Sequence, residues 1–256
     1  MTAETIIAAL ALPPNARVEQ RVPKKLLMEQ GAPTAADKRV IQDGIEELFW
    51  VAALKPTNIG VPGYQDEVRE YLEIAVLTTT FRQGAKGGRL VELVHRAVPY
   101  PVVLVGTAVD GCTFSVAHKR WSQGEAGKVV LDEGYPQMTQ ISSEGSTEAG
   151  FLDSLAVSNL SRGNLFALYQ GWIDRVAALE AARITGVYAV PGAIGESGAV
   201  RDGLDAHKAI ERELVGLRAR AKKEKQFNRR VELNLEIKRL EGKMAVIAGQ
   251  LGGNGS

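Results

Sequence analysis

Apolar positions from Leu204 to Leu251 recur in alternating steps of four and three, the signature of one helical face. Ile210, Leu214, Leu217 and Ala221 form a first run, and Leu233, Ile237, Leu240, Met244, Ile247 and Leu251 a second in a shifted register. The 48 residues hold no proline and three glycines, which predicts one long helix, about 70 Å from end to end. The change of register places a stutter near residues 224–233. The second run is long enough for a helical hairpin or a dimer seam. A second copy, the segment Asn164–Arg183 or another protein would each fit against it.

Ahead of this stretch the periods are mixed. Thr2–Leu12 predicts a short apolar helix ending at Pro13-Pro14, Lys24–Gln30 another, and Thr34 an N-cap with Asp37 in the capping-box position for a helix over 35–46. Glu47–Leu54, Tyr71–Thr80 and Pro99–Val105 are β-branched or continuously apolar and predict strands. Arg89–Ala97 has helical spacing, and Asp110-Gly111 predicts a turn from which Thr113–Lys119 pairs back. Lys128–Leu131 and Gln137–Ile141 read as further strands, then Thr147–Leu155 and Asn164–Arg183 as helices. The expected fold class is an α/β body, a mixed sheet with flanking helices, followed by a helical region and a long C-terminal coiled-coil-like helix. By residue this gives an α/β domain at 1–145, a helical extension at 146–185, a linker or loop at 186–203, the long helix at 204–251 and a flexible tail at 252–256. The linker assignment rests on five glycines and one proline in residues 184–203 with no period.

Composition changes this picture in one respect. The net charge of +1 conceals 12 Lys/Arg against 7 Asp/Glu in residues 204–251, and 19 against 23 elsewhere. Seven cations and one Glu fall within Gly216–Arg230. On one continuous helix Arg218, Lys222, Lys225 and Arg229 form a stripe flanked by Arg220, Lys223 and Arg230, suited to the phosphates of a nucleic acid. The same residues could be a solvated face, or could dock on the acidic remainder of the chain. A single aromatic, Phe227, is too little for a base-stacking platform, and Gln226 and Asn228 could reach base edges but are too few to read a base sequence.

Catalytic signatures are incomplete. Phe81–Arg89 is glycine-rich but lacks the Gly-Lys-Ser/Thr ending of a phosphate loop, although Arg82, Lys86 and Arg89 could attract an anion. His95, His118 and His207 have no metal-ligand spacing, and Cys112 is a single thiol with no base beside it. The order of elements from 35 to 105 is reminiscent of restriction-endonuclease-like folds, whose carboxylates and lysine surround Mg²⁺. Glu46 (or Glu47), Asp66, Glu73 and Lys119 are the available residues, but Glu73 lacks the lysine two positions on, and it could equally pair with Lys24, Lys25 or Lys119. No cofactor is implied. TIIAALAL is too short for a membrane span and lacks a basic start, and the single cysteine suits a reducing cytoplasm.

Taken in order, VPKK (Val22–Lys25), IEELFWVAALKPTNI (Ile45–Ile59), LEIAV (Leu72–Val76), AVPYPVVLV (Ala97–Val105), the strand ending in His118-Lys119, NLFALYQGW (Asn164–Trp172) and KEKQFNRRVELN (Lys223–Asn234) resemble the bacterial family DUF4391. The resemblance implies no particular reaction. It implies a gene often sited beside helicases and DNA methyltransferases of restriction or phage-defence type. The reading that follows is a non-catalytic adaptor of a DNA-processing or anti-phage complex. Leu233, Ile237, Leu240, Met244, Ile247 and Leu251 would meet protein partners, of helicase or methyltransferase type or a second copy, and the basic stripe would touch DNA. A Mg-dependent nuclease with a displaced lysine and a homodimeric scaffold without nucleic-acid binding are the alternatives.

Overall fold

The computed structural model describes residues 1–253 apart from Ala126, Ser143, Glu144, Pro191 and Ala193. Helix α1 (Ala3–Ala9) leads to strand β1 (Arg17–Arg21), helices α2 (Lys24–Gln30) and α3 (Ala35–Gly44) and strand β2 (Ile45–Leu54). A single helical turn, α4 (Pro56–Ile59), and the short strands β3 (Tyr64–Gln65) and β4 (Glu70–Tyr71) follow. Then come β5 (Ile74–Phe81), α5 (Gly87–Ala97), β6 (Val102–Ala108), β7 (Gly111–Val116), β8 (Lys119–Trp121), β9 (Val129–Leu131) and β10 (Gln137–Ile141). Helices α6 (Ser146–Ser154), α7 (Leu165–Thr185), α8 (Ile194–Lys223) and α9 (Phe227–Gly253) complete the chain. Among the described residues no helix is long and apolar enough to cross a membrane.

Six strands form a mixed sheet in the order β1-β2-β5-β6-β7-β10. Only β5 and β6 run parallel, because α5 carries the chain back across the sheet between them, while β6 and β7 close as a hairpin at Asp110-Gly111. Gly111 has φ +131°, a conformation that favours glycine. Alternate residues of β5 and β6 point to opposite faces, and both sets are buried: Ala75, Leu77, Val102 and Leu104 on one, Val76, Val103 and Val105 on the other. The first set packs with Leu27 of α2, Ile41 of α3 and Leu90, Leu93 and Val94 of α5. On the second face Phe114 meets Phe151 of α6 edge-to-face at 5.6 Å. Thr34 caps α3 as expected, its hydroxyl accepting from the Asp37 amide at 3.1 Å. Asp37 in turn accepts two hydrogen bonds from Arg89, which ties α3 to α5.

The chain divides into two compact units, Met1–Val176 and Ala177–Ser256. The second corrects the single helix expected over Leu204–Leu251: the helix ends at Lys223 and a new one begins at Phe227. The stutter lies at this break. Folding back lets the two apolar registers cover each other, so that Leu214, Leu217 and Leu240 become buried together. Each fully buried leucine is worth roughly 1.5–3 kcal/mol, which a continuous 48-residue helix would forgo. The start of α8 at Ile194 also takes in part of the glycine-bearing stretch expected to be linker. One of those glycines has a packing role, since a Cβ on Gly203 would lie 2.9 Å from Leu251 Cδ2. Pro191 and Ala193 of that stretch lie outside the described residues. Of the expected tail at 252–256, Gly252 and Gly253 belong to α9 and the last three residues are likewise outside.

Candidate nucleic-acid interface

Helices α8 and α9 form an antiparallel hairpin closed by Glu224-Lys225-Gln226. The Glu224 amide still donates to Arg220 O at 3.0 Å, the Gln226 amide donates to Glu224 Oε1 at 2.7 Å, and the Arg230 amide donates to Gln226 O at 3.0 Å. Ile210, Leu233, Ile237 and Met244 flank the middle cluster around Leu214, Leu217 and Leu240. Leu251 and Ile247 pack with Val200, Leu204, Ala177, Ala181 and Ile184 in a second cluster at the other end. The six residues Leu233 to Leu251 expected to face a partner are therefore already engaged within the chain.

The cations change their arrangement for the same reason. Arg218 and Lys222 remain on α8, Lys225 sits in the turn, and Arg229 begins α9, so the expected stripe along one helix becomes a cluster around a tip. Arg218 bridges the two helices to Glu241 at 2.8 Å. Arg220, Lys222, Lys223, Lys225, Arg229 and Arg230 are exposed and make no ion pair among the described residues. The three on the last turn of α8 suit the negative end of its dipole. Arg229 and Arg230 do not: they occupy the first turn of α9, where backbone N–H groups already make the field positive, and no acidic residue stands with them. The carboxylate at this end is that of Glu224, which accepts the Gln226 amide just ahead of the helix. Phe227 is 68% exposed at the same end, with the Arg230 guanidinium 5.9 Å from its ring centre.

The metal-site candidates do not gather into one metal-binding group among the described residues. Glu46 is exposed on β2, and Glu47 reaches Arg21 at 3.5 Å. Asp66 accepts from the Tyr64 hydroxyl at 2.7 Å and from the amides of Val68 and Arg69, which together hold its carboxyl below the usual range. Glu73 is buried just before β5 and pairs through Oε2 with Lys55 at 3.0 Å, not with Lys24, Lys25 or Lys119. Lys24 instead donates to Gln42 O at 3.2 Å. Lys119 is buried, its ammonium nitrogen directed at the carbonyls of His95 and Val98. Among the described residues no three His, Cys, Asp or Glu side chains are placed to hold a metal ion. The glycine-rich loop lines a cleft of about 430 Å³ with Arg82, Gln83 and Gly84. Its Arg89 is committed to Asp37 and Glu92. Cys112 is buried.

A family model described as "Domain of unknown function (DUF4391)" matches residues 10–244. The chain belongs to the DUF4391 family. No curated protein and no solved structure gives a match.

Three of the stretches that carry the DUF4391 resemblance in the first unit, those holding Val102, His118 and Gln170, are joined by hydrogen bonds. Gln170 Nε2 donates to Asp174 Oδ1 at 2.7 Å, which fixes the amide so that Oε1 faces His118 Nε2, also at 2.7 Å. A carbonyl oxygen can only accept, so the proton of neutral His118 sits on Nε2 and Nδ1 accepts from the Tyr71 hydroxyl at 2.5 Å. Burial pushes the Tyr71 phenol well above its ordinary value. Tyr169 accepts from the Ala117 amide at 2.8 Å and donates to Val102 O at 2.6 Å, joining α7 to two strands. Lys55 and Glu73 link two further stretches. Those three stretches hold α7, β6 and the β7–β8 corner together, with Tyr71 as a further partner. The spacing of the histidines gives His118 no metal-ligand pattern, and its network emerges only when residues 118 and 170 meet.

Proposed function

We propose that this DUF4391 chain is a non-catalytic accessory protein that holds nucleic acid by the phosphate backbone at the tip of the α8–α9 hairpin. The observation that carries the reading is Arg229 and Arg230 in the first turn of α9, beside Lys222, Lys223 and Lys225, with no acidic residue in that turn. The one carboxylate of the turn, Glu224, accepts the Gln226 amide and makes no ion pair with these cations among the described residues. The family resemblance, with its implied helicase and methyltransferase neighbours, directs the reading toward a DNA-processing or anti-phage complex in which the first unit meets the other subunits. The web around Tyr71, His118 and Tyr169 supports a structural role for that unit.

The test is fluorescence anisotropy with a labelled DNA duplex between about 50 and about 200 mM salt. Binding should weaken steeply with salt, by about 0.9 in log–log slope for each phosphate neutralised. The combined variant Lys222→Glu, Lys225→Glu, Arg229→Glu, Arg230→Glu should flatten that slope and abolish measurable binding. Equal affinity and slope for wild type and variant would refute the proposal.

A further inference from the structure

We infer that the hairpin tip recognises unpaired bases, and that Phe227 is the residue that stacks on them. This deepens the proposed phosphate contact and rests on it. Phe227 opens α9 and is the most exposed of the chain's six phenylalanines at 68%. Neither apolar cluster of the hairpin includes it. Its described neighbour is the Arg230 guanidinium, a flat cation over a flat ring, with Lys225 and Arg229 close in sequence. A ring 68% exposed adds little to an apolar core, yet this one stands among the cations of the tip. A ring beside cations is the arrangement that grips single strands: the cations follow the phosphates, and the ring offers a sequence-tolerant platform for a base. Plain duplex keeps its bases stacked inside, so its backbone alone would meet the tip.

The charge complementarity selects a polyanion. Between the two common polyanionic partners, an anionic membrane would draw its binding energy from apolar area, and around Phe227 the tip is almost wholly cationic. One ring is too little to stack a run of bases, but it can stack one, while the cations hold the neighbouring phosphates.

The experiment uses the full chain and fluorescent probes of about 20 nucleotides: oligothymidine, an abasic phosphodiester of equal length, and a duplex of equal length. Wild type should bind oligothymidine several-fold tighter than the abasic strand, which carries the same charge without bases. Phe227→Ala should weaken oligothymidine binding by about 5- to 100-fold while leaving the abasic strand and the duplex unchanged, and Phe227→Trp should retain or exceed wild-type affinity. An exposed side chain outside both clusters should not alter the fold, which an unchanged melting temperature will verify. Equal binding of oligothymidine and the abasic strand by wild type, or no effect of Phe227→Ala on that difference, overturns the base contact and leaves the phosphate contact standing. Failure of wild type to bind any of the three overturns both. Phe227-dependent binding to phosphatidylserine vesicles, with oligothymidine indifferent to Phe227→Ala, overturns the stacking role in favour of a membrane surface.

Discussion

Replacing Lys119 by Met should remove a pH-dependent component of stability confined to the alkaline range. The side chain is 3% exposed, and its nitrogen donates to His95 O at 2.5 Å and to Val98 O at the end of α5. Burial lowers its pKa from 10.5 to about 7. The neutral amine keeps two N–H donors, enough for both carbonyls, so deprotonation need not break the contact. Between about pH 7 and about pH 10.4 the unfolded chain binds a proton that the folded chain does not. Stability must therefore rise with pH across that window: the contribution is fully present above the unfolded pKa and lost as pH falls through the folded one. A displacement of this size corresponds to about 5 kcal/mol. Urea unfolding of wild type and Lys119→Met at several pH values, from about 6.5 to about 10.5, gives the difference directly. Titration of Tyr71 and Tyr169 is common to both proteins and largely cancels. The advantage of wild type over the variant should grow with pH. Parallel curves would show that the carbonyls and the helix terminus hold the ammonium charged at no net cost, and the reasoning would fail.

Leu240→Ala, which empties the centre of the hairpin cluster, should cost about 2–5 kcal/mol in the unfolding of the second unit, whereas Leu235→Ala on the exposed face should stay within about 0.5 kcal/mol; urea titration followed by the helical circular-dichroism signal separates them. A Cβ on Gly31 would meet Ala97 Cβ and Leu93 O at 2.6 Å each, so Gly31→Ala should lower stability by about 1–3 kcal/mol, visible as a lower melting temperature. Tyr169→Phe strands the buried Ala117 amide and should cost about 1–3 kcal/mol, with accelerated hydrogen exchange at Ala117 as its specific mark.

The elements of the sheet that carry continuous apolar residues were legible, because burial on both faces writes itself into Tyr71–Thr80 and Pro99–Val105. Strand β1 was not. Arg17–Arg21 is exposed throughout and pairs on one side only, so its sequence shows no alternation of apolar and polar positions. The hairpin was half legible. Its two registers and the stutter stood in the apolar spacing, but no proline or glycine marks residues 224–226. The turn forms because packing two offset seams outweighs three residues of good helix propensity, a tertiary effect that propensity cannot contain. The cations of the candidate site were all visible as a charge run. Their gathering at a tip depended on that turn, and the opposition between Arg229, Arg230 and the α9 dipole exists only once a helix begins at Phe227. The pairing of Glu73 with Lys55 was similarly hidden, since α4 and the approach to β5 meet only in three dimensions.

The apolar clusters of the hairpin are unevenly distributed along its length. From Arg218 to Glu232 only Ala221 is buried, whereas the leucines lie further back. Local opening free energy should therefore rise from the tip inward, as in a zipper whose free end frays first. A ligand seated on the tip would clasp the cheapest part of the structure to open. Part of its binding energy would go into ordering that end, and the hairpin would in return stiffen from the tip toward its base. Amide hydrogens on both helices would then exchange more slowly in the complex, including those several turns away from any contact.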